Sequence, residues 1–179
     1  RTGVATFHFY DMLISNVYTE GWLVLEDRNQ QADLSMILNT GEAVHQIYSS
    51  LNPTYAIRRP LRLSISRNNI SDEVTTTARK FYIVAEQDAI ELDVLTLQKR
   101  FDYSFLFFQA PPVVRPTLLG WSQPYNDLGS GVGIVVNEGL LCTNFVGGFP
   151  GAKKFGLYMQ APARGYNYQM APFYASATS

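Results

Sequence analysis

Few residues in this chain are of types that make or break bonds, and their spacing decides what they could do. Nucleophilic catalysis needs Cys142 or a serine beside a histidine that takes its proton, and the histidines are His8 and His45 alone. Cys142 follows Leu140 and Leu141 in a predicted strand, where a lone cysteine behaves as a small apolar core residue. His8 stands between Phe7 and Phe9 on an alternating strand and so faces away from them. His45 falls on the polar side of a predicted helix, and neither histidine has a carboxylate close in sequence to share a metal with.

The paired carboxylates are Glu91 and Asp93, which share one side of a strand in Glu91-Leu92-Asp93. That is half of an arrangement in which two acids flank a glycosidic bond. Leu95 occupies the next place on the same side, where a third acid is required, so the expectation is a solvated strand face. Gly129, Gly131 and Gly133 approach a phosphate-cradling pattern, but Ile134 stands where the dinucleotide fingerprint has glycine. Asn69-Ile70-Ser71 is a glycosylation sequon, which matters only in a protein secreted from a eukaryotic cell. Arg58-Arg59, Arg79-Lys80, Lys99-Arg100 and Lys153-Lys154 are basic pairs, and Arg58 and Arg62 are expected on one strand face. Charged sheet edges account for them. The expectation is a protein that is not an enzyme, with no catalytic residue, no cofactor and no metal site.

The elements that would position such residues are mostly strands. Leu61 to Ser66 alternates apolar and polar, the mark of a strand with one buried face. Phe101, Tyr103, Phe105 and Phe107 alternate too, and the apolar second half of that run predicts a central strand reaching Phe108. Further strands are predicted at Val4 to Ile14, Gly21 to Glu26, Val74 to Glu86, Ile90 to Gln98, Gly131 to Asn137, Phe155 to Gln160 and Tyr166 to Tyr174. One helix is predicted over Thr40 to Leu51. Val44, Ile47, Tyr48 and Leu51 have helical spacing, Asn39 and Glu42 form a capping box, Pro53 follows, and the helix would cover an edge or end of the sheet. The fold class is all-β, a sandwich or barrel of jelly-roll type with one short helix and a loop-rich C-terminal third.

At 179 residues the chain suits one domain, with 1–110 as sheet core and 111–179 as an interaction region. The division rests on composition: from Pro111 onward lie 10 of the 13 glycines and 7 of the 9 prolines but only 6 of the 29 charged residues. Aromatics persist there, and Trp121, Tyr125, Phe149, Tyr166 and Tyr168 are the candidate interface or ligand-stacking residues. Charged residues make up 16% of the whole chain against about 25% in typical domains, which favours a surface partly covered by neighbours. A formal net charge of −1 argues against nucleic acid as a partner. A single cysteine excludes a disulfide scaffold, and the absence of an apolar run of roughly 18 residues argues against membrane insertion. Arg1 in place of an initial methionine makes a processed N-terminal segment an expectation.

The order Phe7-His8-Phe9-Tyr10-Asp11, Thr19-Glu20-Gly21-Trp22-Leu23-Val24-Leu25-Glu26-Asp27, Thr40-Gly41-Glu42, Lys80-Phe81-Tyr82-Ile83-Val84 and Tyr103-Ser104-Phe105-Leu106-Phe107-Phe108 resembles β-rich structural domains of bacteriophages. The nearest comparison is the small barrels of tail and baseplate hub proteins. The remainder is similar in character to the interstrand loops of jelly-roll capsid subunits. The resemblance implies a structural subunit of a virion, packed against copies of itself and other particle proteins. The alternative expectation is a secreted or cell-surface carbohydrate-binding sandwich or adhesin, with a glycan stacked on Trp121, Tyr125, Tyr166 or Tyr168 beside Asn126, Asp127 and Asn167.

Overall fold

The computed structural model describes residues 21–67, 79–121, 131–146, 155–156 and 170–171. These residues form three antiparallel sheets, one short α-helix and a 3₁₀ turn, so the chain is mostly β. The sheets are open, and no barrel closes among the described residues. The strand expected at Val4 to Ile14 lies outside them, as do most of those expected at Phe155 to Gln160 and Tyr166 to Tyr174.

The first sheet runs β1 (Trp22–Arg28), β2 (Gln31–Ile37), β3 (Ala43–Val44). Arg28 pairs with Gln31, and the two residues between them, Asn29 and Gln30, have φ of 54° and 66°. Positive φ at both centres is what a two-residue hairpin turn demands if the strands are to keep their right-handed twist. Alternation sends Leu23, Leu25, Ala32, Leu34 and Met36 to the inner face and into the first hydrophobic core.

The helix expected over Thr40 to Leu51 is shorter: α1 is Ile47–Leu51. Thr40 and Gly41 instead turn the β2–β3 hairpin. Gly41 has φ of 84°, and its N–H donates to the Leu38 carbonyl at 2.9 Å. Asn39 and Glu42 thus flank a turn rather than a helix start, and Gln46, in the left-handed region, precedes the helix. The outer edge of β2 is closed in pieces, by groups other than the helix backbone. β3 pairs only with Met36 and Ile37; the Leu34 N–H goes to Asp33 Oδ1 at 2.8 Å, and the Ala32 N–H to the Ile57 carbonyl at 2.9 Å. Alongside, α1 packs Ile47 and Tyr48 into the core, and Pro53 follows its end.

The middle sheet runs β4 (Pro60–Arg67), β5 (Arg79–Ala85), β6 (Asp88–Leu92), β7 (Lys99–Asp102). Successive residues of β5 and β6 face different cores. Ile83, Ala85, Ile90 and Leu92 join the first; Tyr82, Val84 and Ala89 join a second with Tyr103, Leu106, Phe107, Leu119, Val135, Cys142 and Phe155. Coverage of both faces is why Phe81 to Ala85 reads as one apolar run. β4 contains the expected Leu61 to Ser66 strand, yet it is an end strand: Leu63 packs on the first core while Leu61 and Ile65 are exposed.

Two expected strands end early. The one expected over Ile90 to Gln98 stops at Leu92, because Asp93 Oδ1 accepts the N–H groups of Leu95 and Thr96, each at 2.9 Å, and starts a turn. The Phe101 to Phe108 run is not a central strand. β7 is an end strand that stops at Asp102, and Tyr103–Leu106 is a 3₁₀ turn. The rings meet at four-residue spacing instead, Phe101 stacked on Phe105 at 4.4 Å and Tyr103 edge-on to Phe107 at 4.9 Å between centroids.

The third sheet, in the order β10-β9-β8, is a meander of β8 (Pro116–Trp121), β9 (Gly131–Asn137) and β10 (Leu140–Val146). Among the described residues of the C-terminal third these three strands supply the regular structure, and β9 is the strand expected at Gly131 to Asn137. Glu138 and Gly139, both at positive φ, make the two-residue β9–β10 turn. Two buried asparagines join the layers. Asn137 accepts the Tyr103 hydroxyl and the Arg115 N–H and donates to the Val113 carbonyl. Asn52 accepts the Lys99 N–H at 2.7 Å and donates to the Tyr48 and Leu97 carbonyls.

Candidate functional site

The outer face of the first sheet carries the polar groups that come closest to a chemical constellation. Strand alternation puts Trp22, Val24, Glu26 and Arg28 on that face of β1, opposite Ile37, Ser35, Asp33 and Gln31 of β2. The chain leaving β3 lays His45 over Ser35 and Glu26, and α1 sets Ser49 over Asp33. Asp33 and Ser35 are buried as a result.

The hydrogen-bond directions follow from the inventory of donors. The Ser35 hydroxyl donates to Glu26 Oε1 at 2.6 Å, which leaves its oxygen to accept from His45 Nδ1 at 2.9 Å; that nitrogen is also 3.3 Å from Glu26 Oε1. Arg28 Nε donates to the other carboxylate oxygen at 2.6 Å, and the Ser49 hydroxyl donates to Asp33 Oδ2 at 2.7 Å. A nucleophilic relay needs hydroxyl and carboxylate on opposite ring nitrogens, so that the proton passes through the imidazole. Here both sit at Nδ1, and Ser35 has its proton on the carboxylate. The geometry makes a latch that pins the β3–α1 connection to β1 and β2.

The Ser35 hydrogen bond holds the Glu26 carboxyl below its ordinary value of 4.5, helped against partial burial by Arg28 and His45. A carboxyl depressed only in the folded state contributes stability above its ordinary value, and that stability is lost as pH falls through the folded-state value. Glu26→Gln is therefore expected to cost about 1 kcal/mol near neutral pH. Urea denaturation should show the gap to wild type closing as the pH is lowered from 4.5, and a gap that persists unchanged in acid would contradict the latch.

The carboxylate beside His45 is not local in sequence: Glu26, 19 residues earlier, supplies it across the hairpin. The expected solvated face at Glu91 and Asp93 is overturned. Asp93 has left the strand, and Glu91 is buried because β6 is covered on both sides, accepting the Tyr82 hydroxyl at 3.1 Å. Burial, and then the Glu91 carboxylate, push the Tyr82 hydroxyl well above its usual range. Asp93 is held low: burial pushes it up, but the Thr96 and Leu95 hydrogen bonds outweigh burial. Arg58 and Arg62 do not share a strand face, since Arg58 bridges Gln31 and Arg59, at φ of 55°, turns the chain into β4.

Cys142 is buried in the second core, and burial pushes its thiol up to about 11. It lines a small pocket of about 50 Å³ with Phe107, Pro111, Pro112 and Gly156. Among the described residues no three of His, Cys, Asp and Glu converge as metal ligands, and no helix is long and apolar enough to cross a membrane.

Of the aromatics expected at an interface, Trp121 closes β8 with its backbone opposite Gly133. Tyr125, Phe149, Tyr166 and Tyr168 lie outside the described residues, as do His8 and Asn69. The aromatics that the described residues do expose are others, Trp22 at 77%, Phe108 at 75% and Phe105 at 47%, and Trp22 lies beside the exposed Ile37 and Val24. Its signal was present, because Trp22 and Val24 occupy the polar side of an alternating strand whose inward places are Leu23 and Leu25. No protein-family model matches this chain, and neither does a curated protein or a solved structure.

Proposed function

We propose that this chain is a non-enzymatic structural subunit of a virus or bacteriophage particle, a capsid, decoration or tail component that works through protein–protein interfaces in the virion. The finer fold reading that accompanies this is a jelly-roll-like stacking of its sheets. The observation that carries the assembly reading is the apolar row Trp22, Val24 and Ile37, laid open on one sheet face of a chain with only 16% charged residues. Interface cores enrich aromatic residues and deplete charge, and a row of this kind left in water is a site for association. The charged neighbours Glu26 and Arg28 bound the row on one side, as a polar rim does.

Sedimentation velocity across a wide concentration range tests the reading. The wild-type chain is expected to self-associate, and Trp22→Ser to remain monomeric with its stability within about 0.5 kcal/mol of wild type, as for a surface change. A wild-type chain that stays monomeric throughout, and that is absent from purified particles of its source, would end this proposal.

A second reading, a carbohydrate-binding module, is favoured by the same indole lying on a sheet face with the Glu26–His45 cluster, since sugars stack on exposed aromatic rings beside hydrogen-bonding groups. A glycan screen in which Trp22→Ser abolishes a specific signal would support that reading over assembly.

A further inference from the structure

We propose that β1 is where a second copy of this chain adds, its own β1 pairing antiparallel with the first about a two-fold axis beside Val24. The inference rests on the assembly reading and names the surface that would carry it. β1 is the end strand of its sheet: β2 lies on one side, and no described strand pairs with it on the other. An end strand presents a row of backbone donors and acceptors, a template for one more strand.

Strands that remain single at an edge are usually blunted by charge, proline or a bulge. The opposite edge of this sheet is closed in pieces, by β3, by the Asp33 side chain and by the Ile57 carbonyl. The first half of β1 has no such device. Trp22, Leu23, Val24 and Leu25 are uncharged and apolar, and their register with β2 is unbroken.

Side-chain placement selects both the occupant and the register. A two-fold axis perpendicular to the sheet keeps inner faces together and outer faces together, the geometry of an isologous contact. Centred on Val24, the pairing sets Leu23 against Leu25 of the second copy, which extends the apolar wall of the first core. On the outer face it sets Val24 against Val24 and brings each Trp22 indole beside the second copy's Glu26–Arg28 pair, a donor ring edge to a carboxylate and a guanidinium to a ring face. Centred one residue later, on Leu25, the same strands would set Asp27 against Leu23 on the apolar side and Glu26 against Val24. Centred on Leu23 they would set Trp22 against Val24 and take the indole away from Glu26 and Arg28, so the Val24 register is the one of the three that both continues the apolar wall and gives each indole the charged pair of a second copy.

Val24→Cys tests the register directly. Opposed residues of an antiparallel pair have Cα atoms about 4.5–5.5 Å apart, within disulfide reach. On mild oxidation at concentrations where the wild type self-associates, most Val24→Cys chains should become covalent dimers on a non-reducing gel. Ile37→Cys, similarly exposed on the same face but on β2, should not, and the native Cys142 is buried. Val24→Lys, which sets two like charges on the axis, should weaken self-association at least tenfold while its urea midpoint, measured at concentrations where both chains are monomeric, stays unchanged. If the wild type assembles but Val24→Cys cross-links no better than Ile37→Cys, pairing through β1 is overturned while the assembly reading stands. If the wild type is monomeric at every concentration, pairing through β1 falls, and the assembly reading falls with it when the chain is also absent from purified particles.

Discussion

Asn137→Ala is expected to lower the stability of the folded chain by about 2–3 kcal/mol, because it takes this partner from the buried Tyr103 hydroxyl and from two part-buried backbone groups, at about 1–3 kcal/mol for a buried group and less where water can take the partner's place. The Asn137 side chain is wholly buried at the end of β9. Its oxygen accepts the Tyr103 hydroxyl at 3.1 Å and the Arg115 N–H at 2.8 Å, and its nitrogen donates to the Val113 carbonyl at 2.9 Å. One side chain therefore fixes the 3₁₀ turn, the approach to β8 and the end of β9 relative to each other. Urea denaturation of Asn137→Ala, Tyr103→Phe and the double variant apportions the effect. Tyr103→Phe alone should cost about 1 kcal/mol, and the pair should be clearly non-additive. A loss below about 1 kcal/mol for Asn137→Ala would mean that the junction is held by the surrounding core instead.

Leu34→Ala should cost about 2–5 kcal/mol, the range for emptying a leucine site in a closed core, whereas Ile65→Ala should change stability by no more than about 0.5 kcal/mol. Leu34 is completely buried on β2 and packs in the first core with Ala32, Met36 and Ile47, while Ile65 is 52% exposed on β4. The pair is informative because the pattern of residues points the other way. Ile65 belongs to the cleanest alternation in the chain, and Leu34 sits in a stretch with no strand signature of its own. Equal losses at the two positions, measured by chemical denaturation, would contradict the layer assignment.

That contrast shows what was legible before the structure. β1, β4 and β9 could be read because their apolar residues recur at strand spacing and local turn residues bound them. β2 could not, because Asp33 and Ser35 lie between its core residues and are buried through partners supplied by His45 and Ser49, which no local pattern announces. The helix was read too long because Asn39, Thr40, Gly41 and Glu42 suit a capping box and a hairpin turn equally well. The hairpin prevails because Met36 and Ile37 find strand partners in Val44 and Ala43. The Phe101 to Phe108 run fits a period of two and a spacing of four at once, and packing of Tyr103 and Leu106 into the second core decides for the turn. The cluster at Glu26 was invisible for a simpler reason: its members come from β1, β2 and the β3–α1 connection and meet only when two hairpins have closed.

The middle sheet has a further consequence for how the molecule comes apart. Ile83 and Val84 are neighbours in sequence but belong to different cores, so β5 is a wall shared by both. A slip of β5 by one residue would exchange the contents of the two cores wholesale, which locks its pairing. Loosening either outer layer strips one side of that wall and weakens the footing of the other, so the layers are bound to melt together, as one cooperative unit rather than leaf by leaf.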